Sequence, residues 1–121
     1  MAITANWTNL SRVQVREGVT RRVFSGEKSM MVLNELMPAA KPALHHHPHE
    51  QLTYIIEGTC KFVIGDEVVD MVAGDIIRIP PDIPHSLEVT SNKPVLNLDV
   101  FSPIRDDYLG SDTQNRGGFR R

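Results

Sequence analysis

The run His45-His46-His47-Pro48-His49-Glu50-Gln51-Leu52-Thr53-Tyr54-Ile55-Ile56-Glu57-Gly58 joins a histidine cluster to a strand. Its second half alternates, with Leu52, Tyr54 and Ile56 on one face and Gln51, Thr53 and Ile55 on the other, and Gly58 closes it. Other strand-length segments surround this one. Upstream, Val13 to Phe24 reads as an early strand pair, and Ser29 to Met37 as a strand closed by the Pro-containing loop Pro38 to Pro42. Downstream, Thr59 to Ile64 and Glu67 to Val72 flank Gly65-Asp66, a two-residue hairpin signal in which both residues tolerate φ > 0. Asp75 to Ile79 must stop at Pro80-Pro81, where the ladder loses its donors. Ser86 to Thr90 and Val95 to Phe101 follow, separated by Ser91-Asn92-Lys93-Pro94. Short strands spaced by turn residues, with no long helical period, predict an all-β sandwich or barrel.

The 121 residues suit one domain, expected over residues 1–110, with a flexible polar tail over 111–121. Such a chain buries roughly two thirds of its unfolded surface and needs no disulfide. With Cys60 as the only cysteine, none can form within the chain, and the residue reads as a small buried apolar group. A net charge of −2 with mixed signs gives no footprint for nucleic acid or a membrane surface. No apolar run approaches the ~20 residues of a membrane span, and no secretory signal is visible, so the expected location is cytoplasmic.

The histidines carry the chemistry. His45 and His47 are two apart, so on an extended segment both imidazoles face one way, and Gln51 keeps that parity. His85 opens a strand after Pro80-Pro81-Asp82-Ile83-Pro84. Two imidazoles from one segment and one from another meet the need of a divalent metal for converging donors. His46 and His49 fall out of this set and read as solvated or hydrogen-bonded side chains. Imidazole serves Zn, Ni, Fe and Cu and tolerates Mn, so one divalent ion is expected without a choice among these.

At these residues the chain resembles the cupin superfamily. The first cupin motif runs Gly, His-x-His, Glu, Gly. Here His45, His47, Gln51 and Gly58 keep its spacing, with Ala39 or a neighbour in the first Gly place and Gln51 in the acidic place. The second motif is matched by Gly74, Pro80, His85, Asp82 in a Gly place and Val89 in the Asn place. Together the motifs cover residues 38–89. The resemblance implies a double-stranded β-helix, or jelly-roll barrel. The run from His45 to Gly58, with Leu98-Asp99-Val100-Phe101-Ser102-Pro103-Ile104-Arg105, is more narrowly similar to the KdgF-type cupins of pectin and alginate breakdown. That resemblance implies a metal on His45, His47, Gln51 and His85. It also implies a site completed by Asp99, Phe101 and Arg105, and ring opening of 4,5-unsaturated uronates to linear keto acids.

The residues suit an anionic small-molecule substrate. Neutral Gln51 in place of a carboxylate leaves the metal site one charge more positive, and Arg105 offers a planar fork for a carboxylate. Asn97, Asp99 and Phe101 share one strand face, toward water or a polar cavity, which the cupin resemblance implies is the barrel interior. Leu96, Leu98 and Val100 share the other, suited to the second subunit of a homodimer as readily as to a second sheet. Asn97 and Phe101 are placed as pocket residues and Asp99 as an acid/base, although Asp99 and Arg105 form an alternative structural ion pair. Two other functions fit the same residues: a metal-dependent dioxygenase or other redox cupin, and a non-catalytic sugar-binding module.

Overall fold

In a computed structural model, residues 1–109 are described; the tail expected over 111–121 lies outside them. After a single 3-10 turn at Trp7–Asn9 come nine strands and one helical turn. The strands are β1 (Val13–Arg16), β2 (Val19–Ser25), β3 (Met30–Leu36), β4 (Glu50–Glu57), β5 (Cys60–Ile64), β6 (Glu67–Met71), β7 (Ile76–Ile79), β8 (His85–Val89) and β9 (Val95–Ser102), and the helix is α1 (Asp106–Leu109). No helix among the described residues is long and apolar enough to cross a membrane.

The strands form two antiparallel sheets: a six-stranded one in the order β1-β2-β3-β9-β4-β7 and a three-stranded one in the order β6-β5-β8. This is the jelly roll that the two motifs imply. The expected hairpin forms at Gly65-Asp66, but it takes positive φ at Gly65 alone (56°). Gly58 has φ of 85°, and a Cβ there would lie 2.7 Å from the Pro94 carbonyl oxygen. That close approach brings the end of β4 against the start of β9, and only glycine permits it. Asp82, in the second motif's Gly place, is the one non-glycine residue with positive φ among those described (66°), a conformation Asp tolerates better than most.

Register explains where the site sits. Inward-facing residues of the large sheet align in rows across β2, β3, β9 and β4. Val19, Leu36 and Val95 form one row; Arg21, Asn34, Asn97 and Ile55 the next; Val23, Val32, Asp99 and Thr53 a third; Ser25, Met30, Phe101 and Gln51 the last. Two apolar clusters result. One gathers Val19, Leu36, Ile55, Cys60, Phe62 and Val95 with their neighbours. The other gathers Val23, Met30, Val32, Phe101 and Leu109. Between and beside them the barrel carries a buried polar belt of His47, Gln51, Thr53, His85, Asn97 and Asp99.

Candidate metal centre and cavity

Backbone pairing brings the histidines together. Proline ends β7 at Ile79, the chain turns, and the segment before β8 runs back beside the histidine loop. His45 and His85 exchange both backbone hydrogen bonds (3.0 and 2.9 Å), and the Asp82 N–H donates to the His47 carbonyl (2.8 Å). Opposed residues of an antiparallel pair put their side chains on the same side. The rings of His45 and His85 accordingly lie 4.3 Å apart, and those of His47 and His85 5.0 Å. One ligand atom from each of His45, His47 and His85 lies within 4.8 Å of the other two.

The tautomers are set locally. Each Nδ1 faces a carbonyl oxygen two residues away: Ala43 for His45 (2.9 Å), His49 for His47 (3.0 Å) and Ile83 for His85 (2.8 Å). A carbonyl can only accept, so all three Nδ1 atoms donate and each Nε2 is left to serve as ligand. His49 thus contributes through its backbone, while exposed His46 stays outside the cluster. Burial pushes His85 down to about 4, a shift to which the neighbouring His45, His47 and Arg105 add. Burial, then Arg105, likewise holds His47 below its ordinary value.

A divalent cation fits this arrangement on two observations. The His85 Nε2 is buried with no hydrogen-bond partner among the described residues. The His47 Nε2 lies 3.1 Å from the Gln51 Oε1. The Gln51 amide is oriented by its Nε2 donating to the Thr53 hydroxyl (2.9 Å), so an oxygen faces the ring nitrogen. Two lone pairs at that distance repel each other unless a cation accepts both. With metal–ligand bonds of about 2.1 Å, adjacent ligands of one ion stand about 3.0–3.4 Å apart, from octahedral to tetrahedral geometry. His45, His47 and His85 can therefore hold one divalent ion.

Thr53 passes the order on to Asp99. Its hydroxyl donates to the Asp99 Oδ1 (2.6 Å), which also accepts from Asn97 (3.0 Å), while Asn34 donates to Oδ2 (2.8 Å). Asp99 is 8% exposed. Burial raises its carboxyl to about 6 against the lowering by these donors.

Asp99 and Arg105 do not pair. Arg105 instead grips Asp107 (2.9 and 3.3 Å) and donates to the Tyr108 hydroxyl (2.8 Å). The short helix α1 carries both partners and was not anticipated from sequence; four residues are too few to show a helical period. Arg105 also stands 5.2 Å from the Phe101 ring centre and 4.0 Å from that of Tyr108. Phe101, 1% exposed, meets the His47 ring edge-on at 5.4 Å.

A cavity of about 100 Å³ opens beside the histidines. His45, Gln51, His85, Asn97, Asp99 and Phe101 contribute to its wall, whereas Arg105 is not among its lining residues. Arg16, Arg21, Asn34 and Tyr108 also line it and had not been singled out. For Arg21 a signal existed: it lies midway between Val19 and Val23, on their face of the strand.

Comparison with known proteins agrees with this architecture. The family model described as a cupin domain matches residues 32–101. An uncharacterized protein of Methanocaldococcus jannaschii is 30% identical over 101 residues, covering 83% of this chain and 78% of that one. The chain belongs to the cupin family. Among solved structures it is similar to KdgF from Halomonas sp. (TM-score 0.78, 25% identity, 88% of this chain and 97% of that one). It is also similar in fold to an RmlC-like cupin from Shewanella frigidimarina (TM-score 0.79, 24% identity, 87% and 94%).

Proposed function

We propose that this cupin opens 4,5-unsaturated uronates to linear keto acids, as a cytoplasmic step after polysaccharide cleavage. The observation that carries the reading is the continuous chain from the histidines through Gln51 and Thr53 to the buried carboxylate of Asp99 at the cavity wall. Similarity to KdgF supports it, and the cavity wall carries the arginine donors of Arg16 and Arg21 and the Asp99 carboxylate. In this reading Gln51 joins His45, His47 and His85 as fourth ligand. A divalent ion held there supplies Lewis-acid stabilisation of negative charge on substrate oxygen, without redox change.

The chain's own groups then divide the work. Asp99 Oδ2 accepts a single hydrogen bond and keeps lone pairs for the anomeric hydroxyl proton. As that proton leaves, the C1–O1 bond becomes a carbonyl, the bond from C1 to the ring oxygen breaks, and its electrons form an enolate at C5. Returning the proton to C4 completes a keto acid, so the reaction is an isomerisation with no co-reactant. Asn97 and Asn34 hold the Asp99 carboxylate in place. Phe101 forms a dry wall beside His47. Arg105 adds positive charge for the uronate carboxylate from across Phe101 and Tyr108. A homodimer through the outer sheet face at Leu96, Leu98 and Val100 completes the reading.

The test mixes metal-replete protein with an unsaturated uronate monosaccharide and follows its enol-ether absorbance against the spontaneous background. Loss of absorbance should accelerate, and a chelator should abolish the acceleration. No acceleration with any of Zn, Ni, Mn, Fe or Cu would remove this function.

A further inference from the structure

Arg21 occupies a position at which a barrel strand ordinarily carries an apolar residue. It faces inward in the same row as Asn34 and Asn97, flanked by the buried Val19 and Val23. Its sequence neighbour Arg22 points the other way and donates to the Trp7 carbonyl (2.8 Å). The Arg21 Nε, by contrast, is buried with no hydrogen-bond partner among the described residues. A buried guanidinium N–H left unmade is costly, and its persistence calls for an acceptor.

The surroundings say which kind. The Arg21 guanidinium carbon lies 3.7 Å from the Tyr108 ring centre, so the aromatic ring fixes the plane of the fork. Arg105 holds the same tyrosine by its hydroxyl, but its own fork is engaged by Asp107. Two guanidiniums, Arg16 and Arg21, line the cavity against the single carboxylate of Asp99, and Arg16 already donates to the Lys41 carbonyl (3.2 Å). Both arginines keep a buried Nε without a partner among the described residues, but Arg16 is tied by its other end to the Lys41 carbonyl. Arg21 is the one whose plane is set by Tyr108, and its donor set matches a carboxylate.

We infer that Arg21, stacked on Tyr108, is the direct receptor for the substrate's carboxylate, in the same cavity as His45, His85 and Asp99. This rests on the proposal that the cavity takes a sugar acid, and it deepens that proposal. Arg105 becomes a positioning residue that steadies Tyr108 and adds charge. The substrate is then held at two points, with its reacting carbon–oxygen bonds near Asp99 and its carboxylate on Arg21.

Equilibrium binding tests this without turnover. Galacturonate, galactose and galactose 6-phosphate, none carrying the 4,5-double bond, are titrated calorimetrically into metal-replete wild type, Arg21→Gln and Arg21→Lys. Wild type should prefer galacturonate to galactose. In Arg21→Gln that preference should fall about tenfold or more, with galactose affinity unchanged, since charge-assisted bonds carry an effect of that size. Arg21→Lys should keep part of the preference and serves alone if the Gln variant does not fold. An unchanged preference in the variants, or none in wild type, would overturn the inference. A larger Arg21-dependent preference for the phosphate would overturn the carboxylate assignment. Intact Arg21-dependent binding without turnover of the unsaturated uronate would instead remove only the ring-opening reaction.

Discussion

The two faces of strands β4 and β9 invert the usual polarity of a sheet. Inward, Gln51, Thr53, Asn97 and Asp99 are all buried. Outward, Leu52 and Tyr54 are exposed (48% and 43%), beside partly covered Leu98 and Val100. Burying polar groups costs free energy unless each finds a partner. Here Gln51 pairs with Thr53, and Thr53 and Asn97 with Asp99, while His47 and Gln51 face each other across the place a cation would take. A fold does not need this arrangement, because the neighbouring rows fill the same barrel with Val, Leu, Met and Phe. In the proposed function the polar face serves chemistry, and the apolar outer face is left with hydrophobic surface to cover.

The sharpest way to break that comparison is at Asp99. Substituting Asp99→Ala removes the proton acceptor but none of His45, His47 or His85. Turnover of the unsaturated uronate should fall by about 10²–10⁴-fold, while metal content measured by elemental analysis stays at the wild-type level. Loss of the metal together with activity would show that the carboxylate, acting through Thr53 and Gln51, holds the ligands rather than the proton.

The outer face should behave in the opposite manner. Leu52, Leu98 and Val100 share an apolar surface with Ile76, which is 77% exposed. Introducing Leu52→Lys with Ile76→Lys should convert a dimer to a monomer in light scattering. Turnover per site should stay within about twofold, the scale of surface substitutions. A wild type that is already monomeric would remove the dimer, and a large loss of turnover would show that the two faces are coupled.

Much of the inner face could be read from sequence because strand parity is a local property. The alternation from Val95 to Phe101 places Asn97 and Asp99 on one side whatever the rest of the chain does. His45 and His47 share a face for the same reason, and Pro80-Pro81 forces the turn that returns the chain to His85. What parity could not supply was partnership across the barrel. Asp99 and Arg105 carry opposite charges six positions apart, yet the turn into α1 gives Arg105 to Asp107. Arg21 shares the parity of Val19 and Val23, but Arg21-Arg22 also looks like an exposed basic pair, and it is the register with Asn34 that places Arg21 among the inward-facing residues. Thr53 read as an ordinary strand residue, since nothing near it in sequence announces Gln51 on one side of its hydroxyl and Asp99 on the other.

The smallest expected effect comes from the apolar end of the barrel, where the comparison can be sharpened by a group with no polar partner to satisfy it. Cys60 is 1% exposed within the apolar cluster, and burial pushes its thiol from 9.0 up to about 11, with Asp75 adding to the rise. The folded state therefore holds its proton at a pH where the unfolded chain has released it. The sign follows from linkage: stability from this group is fully present below pH 9 and is lost as the pH rises toward 11. Denaturant titrations between pH 8 and 11 should show stability falling more steeply in wild type than in Cys60→Ala. Comparing slopes rather than midpoints sets aside the small cavity the substitution leaves. Tyr108, whose hydroxyl burial also raises, contributes equally to both proteins and cancels in the difference. Identical slopes would show that the thiol is reached by water, and with it that the apolar end is no drier than the polar belt.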